Sequence, residues 1–377
     1  MVRMGPLSGV KVVELAGIGP APFACMMLAE LGAEVLRIER PGGGLAFGPP
    51  ELELLNRGRR NVALNLKDPA AIDTVLQLVA GADVLIEGFR PGVAERLGLG
   101  PDECQAVNPK LVYGRMTGWG QDGPLAQSAG HDIDYLGLSG ALHLIGRAGG
   151  PPQVPLNLLG DFAGGSLYLV VGVLAAVVEA RGSGRGQVVD AAVVDGAAHL
   201  TTMIHGAMAG GSWKPERGTN LLDTGAPFYD VYETSDGEFM AVGAIEPRFY
   251  DELIRLLGIE APDRSDSANW PVLHELLTKT FAQRAQAEWT EIFDGTDACV
   301  SPVLRPAADH PHLVARGTFV DKDGVRQPAP APRFSRTPSQ LGRPPAHPGQ
   351  HTREALADWG VTGIDALLDS GAAVQAD

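Results

Sequence analysis

Cysteine, lysine and net positive charge are all scarce in this chain of 377 residues. Its three cysteines, Cys25, Cys104 and Cys299, lie far apart, with no CxxC or Cys/His spacing to link them. That argues against a disulfide framework or a zinc knuckle and fits a reducing cytoplasm. Lysine and arginine total 30 against 45 aspartates and glutamates, a formal net charge of −15, so any nucleic-acid footprint would have to be local. Long apolar runs are missing as well. The most apolar one, Leu167 to Val178, is flanked by Asp161, Glu179 and Arg181. It falls short of the ~20 residues of a membrane span and reads as a buried core helix. The N-terminal MVRMGPLSGV carries no apolar h-region, and the final AVQAD matches no receptor-read address. These absences predict a soluble, cytoplasmic protein that binds neither nucleic acid nor membrane.

At 45% hydrophobic and 20% charged residues, the chain can bury a substantial core. Its length suggests two domains, or one large domain with an insertion. The acidic surplus is uneven. Residues 1–120 hold 12 basic and 13 acidic residues, and the remaining 257 hold 18 and 32. Only 6 of the 30 basic residues are lysine. The arginines of the first third are grouped as Arg37 and Arg40, then Arg57, Arg59 and Arg60, then Arg90 and Arg96. Arginine binds phosphate bidentately and is always charged. Singly these residues read as solvent-facing; as a set they could line a phosphate site.

The first third alternates strand and helix signals. Strands are expected at Val10–Leu15, Glu34–Ile38, Asp83–Ile86 and Leu111–Tyr113, with helices opening at Pro20 and Pro69. Short apolar strands alternating with helices imply a parallel sheet in an α/β domain. Residues 161–209 read as largely helical apart from Gly182–Gln187, and 212–225 as a linker. Segments 228–233 and 238–242 flank Ser235-Asp236-Gly237 as a hairpin. Helices follow near 247–257 and 269–294. Residues 325–350 are proline-rich and read as an extended crossing segment, with a last helix near 352–369.

Four motifs carry candidate chemistry. Ala16-Gly17-Ile18-Gly19-Pro20-Ala21-Pro22 follows a strand and opens a helix like a dinucleotide fingerprint, but Pro22 stands where the third glycine is needed. The turn can still face another anion. Gly130-His131-Asp132 precedes an apolar-periodic run, which places His131 in a first helical turn, as a capping residue or as a general base beside free amides. Asp161 sits among Gly160, Gly164 and Gly165 ahead of the most apolar helix. It reads as an N-cap or as a carboxylate that a ligand can approach closely. Gly243-Ala-Ile-Glu246-Pro247 ends the second hairpin strand, and Glu246 alone would be a solvated first-turn charge.

The ordered set is more specific than its parts. Gly5-Pro6-Leu7-Ser8-Gly9, Val13-Glu14-Leu15-Ala16, Gly32-Ala33-Glu34-Val35, Glu39-Arg40-Pro41 and Asn56-Arg57-Gly58-Arg59-Arg60 come first. Glu87-Gly88-Phe89-Arg90-Pro91-Gly92, Gly130-His131-Asp132-Ile133, Gly160-Asp161-Phe162 and Gly243-Ala244-Ile245-Glu246-Pro247 follow. Together they resemble the α-methylacyl-CoA racemases of the family III CoA-transferase superfamily, over nearly the whole chain and more weakly after about residue 310.

The resemblance implies an α/β fold with a Rossmann-like large domain on a parallel sheet, plus a smaller α+β domain, in an interlocked homodimer. The expected divisions are 1–210 for the CoA-binding domain, 211–224 for the linker and 225–305 for the small domain. Residues 306–377 are then a crossing segment and C-terminal helix returning to the large domain. By the same resemblance, His131 and Asp161 are the two acid/base groups of a 1,1-proton transfer on a 2-methyl-branched acyl-CoA, and Glu246 orients His131. The Asp132 amide stabilises the enolate oxygen. Arg40 and Arg96 contact the CoA phosphates, while Ile18, Gly88 and Tyr135 line the adenine and pantetheine path. CoA belongs to the substrate, so no metal or redox cofactor is expected. Ala163 and Thr224 stand where relatives commonly have glycine. Met116, Met203 and Met208 read as ordinary core packing or acyl-pocket lining. The alternatives are a family III CoA-transferase with Asp161 as nucleophile and a non-catalytic acyl-CoA binding protein.

Overall fold

The protein's structure, a computed structural model, describes residues 5–45, 48–305 and 309–376. Residues 306–308, where the crossing segment was expected to begin, lie outside the described residues. In chain order the strands are β1 (Lys11–Leu15), β2 (Glu34–Glu39), β3 (Arg60–Leu64), β4 (Val84–Glu87), β5 (Val112–Thr117) and β6 (Val188–Ala192). Then come β7 (Tyr229–Glu233), β8 (Phe239–Gly243), β9 (Val300–Pro302), β10 (Phe319–Lys322), β11 (Val325–Pro328) and β12 (Ala373–Val374).

The chain forms two compact units. One comprises Met1–Ser139, Leu156–Leu200 and Pro311–Asp377; the other comprises Gly140–Pro155 and Thr201–His310. In the first unit seven strands pair in the order β12-β3-β2-β1-β4-β5-β6. All neighbours are parallel except β12, which runs antiparallel to β3. The inner strands are apolar on both faces because both faces are covered. Val12, Val35, Val84 and Ile86 pack against the helices Pro20–Glu30 and Tyr168–Ser183. Val13, Leu15, Leu36 and Leu85 pack against Pro69–Ala80 and the C-terminal helices Thr352–Asp358 and Ile364–Ser370. The order 3-2-1-4-5-6 reverses direction between β1 and β4, and folds of this kind bind ligands outside the strand C-termini at that point.

In the second unit β7, β8 and β9 form an antiparallel sheet with Tyr232 opposite Met240. It packs on the helices Pro247–Leu257, Trp270–Phe281 and Gln286–Phe293. The core is aromatic, with Tyr232 stacked on Phe281 at 5.2 Å between centroids and Phe281 against Trp289.

Several elements differ from the sequence reading. Val188-Val-Asp-Ala-Ala192 is the edge strand β6 rather than helix, since β-branched residues here pair with β5. Arg60–Leu64 is the strand β3, whose first residue is an arginine paired with carboxylates. The proline-rich stretch contains half of the hairpin β10–β11. The last helix is two, broken between Asp358 and Ile364, where Gly360 and Gly363 adopt positive φ. Helix Leu158–Ser183 continues for 26 residues, beginning with π-helical turns, and is by length and composition able to cross a membrane. Here its Leu169, Val173 and Val177 are buried in the sheet core.

The unit boundaries also differ from the expected ones. Thr202–Ala209 goes with the second unit, and so does Gly140–Pro155. Arg147 ion-pairs with the buried Asp230, and Arg217 donates to the Gly150 carbonyl, which ties 140–155 to that unit. The expected linker is an ordered loop. Asn220 donates to the Lys214 carbonyl, and the Asp223 carboxylate accepts from the Gly218 and Asn220 amides. At its end Thr224 holds φ 78, a left-handed conformation unfavourable for a β-branched residue and natural for glycine.

Candidate active site

The crevice at the strand-order reversal is built by the segments that leave β1 and β4. After Leu15 the chain turns through Gly17-Ile18-Gly19, with Gly19 at φ 65, before Pro20 opens a helix. After Glu87 it turns through Gly88 and Phe89. Buried charges brace both turns. Glu14, in the middle of β1 and fully shielded, accepts from Arg37 on β2 and from Arg59 beside β3. Arg37 also donates to the Gly17 carbonyl at 3.4 Å. Glu87 accepts from the Phe89 amide at 2.6 Å and from Arg115 Nε at 3.1 Å. Burial pushes Glu87 up to about 7, and the Phe89 amide and Arg115 oppose that rise.

Asp161 reaches this crevice from the far side of the sequence. It lies inside the π-helical segment Leu158–Leu167, where Asn157 holds the N-cap position, so Asp161 is not the N-cap expected of it. The segment is tied to the Pro20 helix. Phe162 stacks on Phe23 at 4.4 Å, and Ser166 Oγ donates to the Pro20 carbonyl at 2.8 Å. A Cβ on Gly19 would lie 3.1 Å from Asp161 Oδ2, so the carboxylate stands directly at the glycine turn.

His131 is the N-cap of the helix Asp132–Leu138, and its amide donates to Asp134 Oδ2 at 2.9 Å. The Asp132 amide is therefore the first of that helix, a position with no partner in its own helix. The Asp132 side chain turns inward, and its Oδ1 accepts the Asp161 amide at 2.6 Å. Burial raises Asp161 to about 6; the charge of Asp132 adds to the rise, while a hydrogen bond from Asn157 and the nearby His131 oppose it. His131, Asp132 and Asp161 are thus assembled in one place, with Ile18 exposed on the neighbouring turn and Gly88 across the crevice. Tyr135 is brought there too, but as support. Its ring is buried edge-on to Trp119 at 4.7 Å, and its hydroxyl donates to the Gly130 carbonyl. Burial, followed by the charge of Asp161, pushes its phenol up to about 12.

The arginine set divides in two, which corrects the collective reading. Arg37, Arg57, Arg59 and Arg60 are buried and paired with Glu14, Glu30, Glu14 and Glu34. They brace β1, β2 and β3 and the neighbouring helix Pro20–Glu30, and are buried rather than open to a ligand. Arg40, Arg90 and Arg96 are exposed and make no ion pair among the described residues. Arg40 follows the C-terminus of β2, and Arg96 ends the helical turn Val93–Arg96 after β4. Met116 is core, whereas Met203 is 62% exposed and packs into none.

In the second unit, Glu246 is the exposed N-cap residue of Pro247–Leu257. Arg264 donates to the Ala244 carbonyl at 2.8 Å while its guanidinium lies over Phe228 and Tyr250, holding the turn that carries Glu246. The sequence reading missed the Glu14 network, Asn157 and the side chain of Asp132. Of these only Glu14 carried a signal, since a charge inside a buried apolar strand must find a partner.

The fold is that of an α/β protein of the doubly wound class. The sequence pattern of CoA-transferase family III matches residues 7–352, and the chain belongs to that family. It is 47% identical to the alpha-methylacyl-CoA racemase of Mus musculus over 380 aligned residues, covering 98% of each chain. To the alpha-methylacyl-CoA racemase of Homo sapiens it is 45% identical, covering 94% of this chain and 93% of that one. Among solved structures, a CAIB/BAIF family protein from Brucella suis superposes with a TM-score of 0.82 at 28% identity, over 95% of this chain and 100% of that one. Identity of 45–47% over nearly the whole chain supports an isomerase.

Proposed function

We propose that the protein is a racemase of 2-methyl-branched acyl-CoA thioesters, interconverting the (2R) and (2S) forms by 1,1-proton transfer. The observation that carries this reading is Asp161: a carboxyl raised to about 6, beside His131, at the ligand crevice of the sheet. The two relatives named alpha-methylacyl-CoA racemase support it.

In one direction neutral His131 takes the Cα proton, the C–H electron pair moves onto the thioester oxygen as an enolate, and protonated Asp161 returns a proton to the opposite face. The reverse direction starts from cationic His131 and ionised Asp161. Either state holds one proton between the pair. The Asp132 amide donates to the enolate oxygen, a contribution of ~3–4 kcal/mol for such a donor. The exposed arginines Arg40 and Arg96 receive the CoA phosphates, with Ile18 and Gly88 along the path and Tyr135 backing it. The thioester itself acidifies the Cα–H, so the reaction calls for no metal or redox group.

The active form is an interlocked homodimer. Helix Tyr168–Ser183 supports this, being apolar all round, as buried helices are. Leu167, Val171 and Val178 remain exposed on one face of it.

In heavy water, deuterium should enter Cα of either enantiomer of a 2-methylacyl-CoA. No exchange with either would leave a binding protein. His131→Ala should lose exchange from one enantiomer more than from the other. A hydroxamate trapped on Asp161 by hydroxylamine after incubation with acyl-CoA would replace this reading with the transferase.

A further inference from the structure

The mechanism above uses the amide of Asp132, yet its side chain is the better-defined feature. The carboxylate is 92% shielded, since Asp132 is 8% exposed. Its Oδ1 accepts the Asp161 amide at 2.6 Å. A Cβ on residue 160 would overlap that oxygen, so glycine is the residue that admits the carboxylate. Oδ2 is buried with no hydrogen-bond partner. A carboxylate shielded from water with one oxygen unpaired is costly to the fold, and such groups are found where a site uses them.

We infer that the Asp132 side chain is a positioning group for Asp161: it pins the Asp161 main chain and sets a second carboxylate beside the group that carries the proposed proton. The inference rests on the racemase reading only for the use of that proton; its geometry stands apart. The helix carrying Asp132 also presents His131, Asp134 and Tyr135. Helix Val193–Leu200, which packs on the π-helical segment, carries Asp195 and His199, and strands β5 and β6 carry Arg115 and Asp190. Cys25 and Glu30 lie on Pro20–Glu30, and Tyr168, Glu179 and Arg181 lie on Tyr168–Ser183, the two further helices against it. Of all these, Asp132 raises the proton affinity of Asp161 and His131 lowers it.

Asp132→Asn separates the two effects, because Asn keeps the acceptor at Oδ1 and removes the charge. The titration of the Asp161 carboxyl, followed by carbon NMR in the full chain, should move down by about one pH unit. The acidic limb of kcat/KM for Cα exchange should move with it. A merely structural role leaves both curves in place, and that result overturns the inference. Should Asp132→Asn fail to fold, Gly160→Ala displaces the carboxylate while retaining its charge. It should lower the Asp161 midpoint and cut kcat at least tenfold; an unmoved midpoint again overturns the proposal. If the midpoint falls while the parent protein exchanges no Cα proton, the positioning role stands and the racemase reading fails.

Discussion

Asp161 must hold a proton near neutral pH to act as an acid, and the surroundings that achieve this work against the fold. In the unfolded chain the carboxyl ionises at its ordinary 3.8, whereas the native environment raises it to about 6. A native acid with a raised pKa binds more protons than its unfolded counterpart between those values, so the stability it contributes falls as pH rises through that window. Above pH 6 the ionised group costs the fold about 1 kcal/mol once solvent screening is allowed for. Asp161→Asn should therefore abolish Cα exchange and yet raise Tm by about 2 °C at pH 8. The gain should fade toward pH 4. Calorimetry across pH checks both the sign and the window.

At the scale of elements, the β1 and β4 turns are held by charges inside the sheet rather than by the turns' own residues. Glu14 pairs across the β1–β2 register with Arg37 and also takes Arg59, and Arg37 reaches the Gly17 carbonyl. Removing one partner of such a buried set leaves uncompensated charge and costs about 3–5 kcal/mol. Glu14→Gln should show that loss in urea unfolding. Because the Gly17–Gly19 turn loosens with it, KM for acyl-CoA should rise more than kcat falls. Equal loss in both would mean that the network supports the fold alone.

For the whole molecule, the exposed apolar face of helix Tyr168–Ser183 is the feature that a single chain leaves unexplained. Val171 is 68% and Val178 72% exposed, one heptad apart. Val178→Asp should shift the mass seen by light scattering from twice 39.5 kDa toward 39.5 kDa and lower activity in proportion. A parent protein that is monomeric at assay concentration would remove the dimer from the proposed function.

The sequence by itself determined the doubly wound first half, the hairpin β7–β8 and the family. Apolar strands at short intervals and an ordered set of motifs are local, and local patterns survive in one dimension. It also pointed to His131, Asp161 and Glu246, though only through the ordered set, since each alone fits a capping or solvated role equally well. What it left to the tertiary structure were the pairings. Four arginines that looked like a phosphate site became struts because β1, β2 and the end of helix Pro20–Glu30 bring Glu14, Glu34 and Glu30 against them. Val188–Ala192 became a strand because β5 had an open edge to offer. Asp161 acquired its raised proton affinity first from burial and then from the charge of Asp132, 29 positions earlier in the chain. Burial and charge proximity depend on distances between remote segments, and those exist only once the chain has folded.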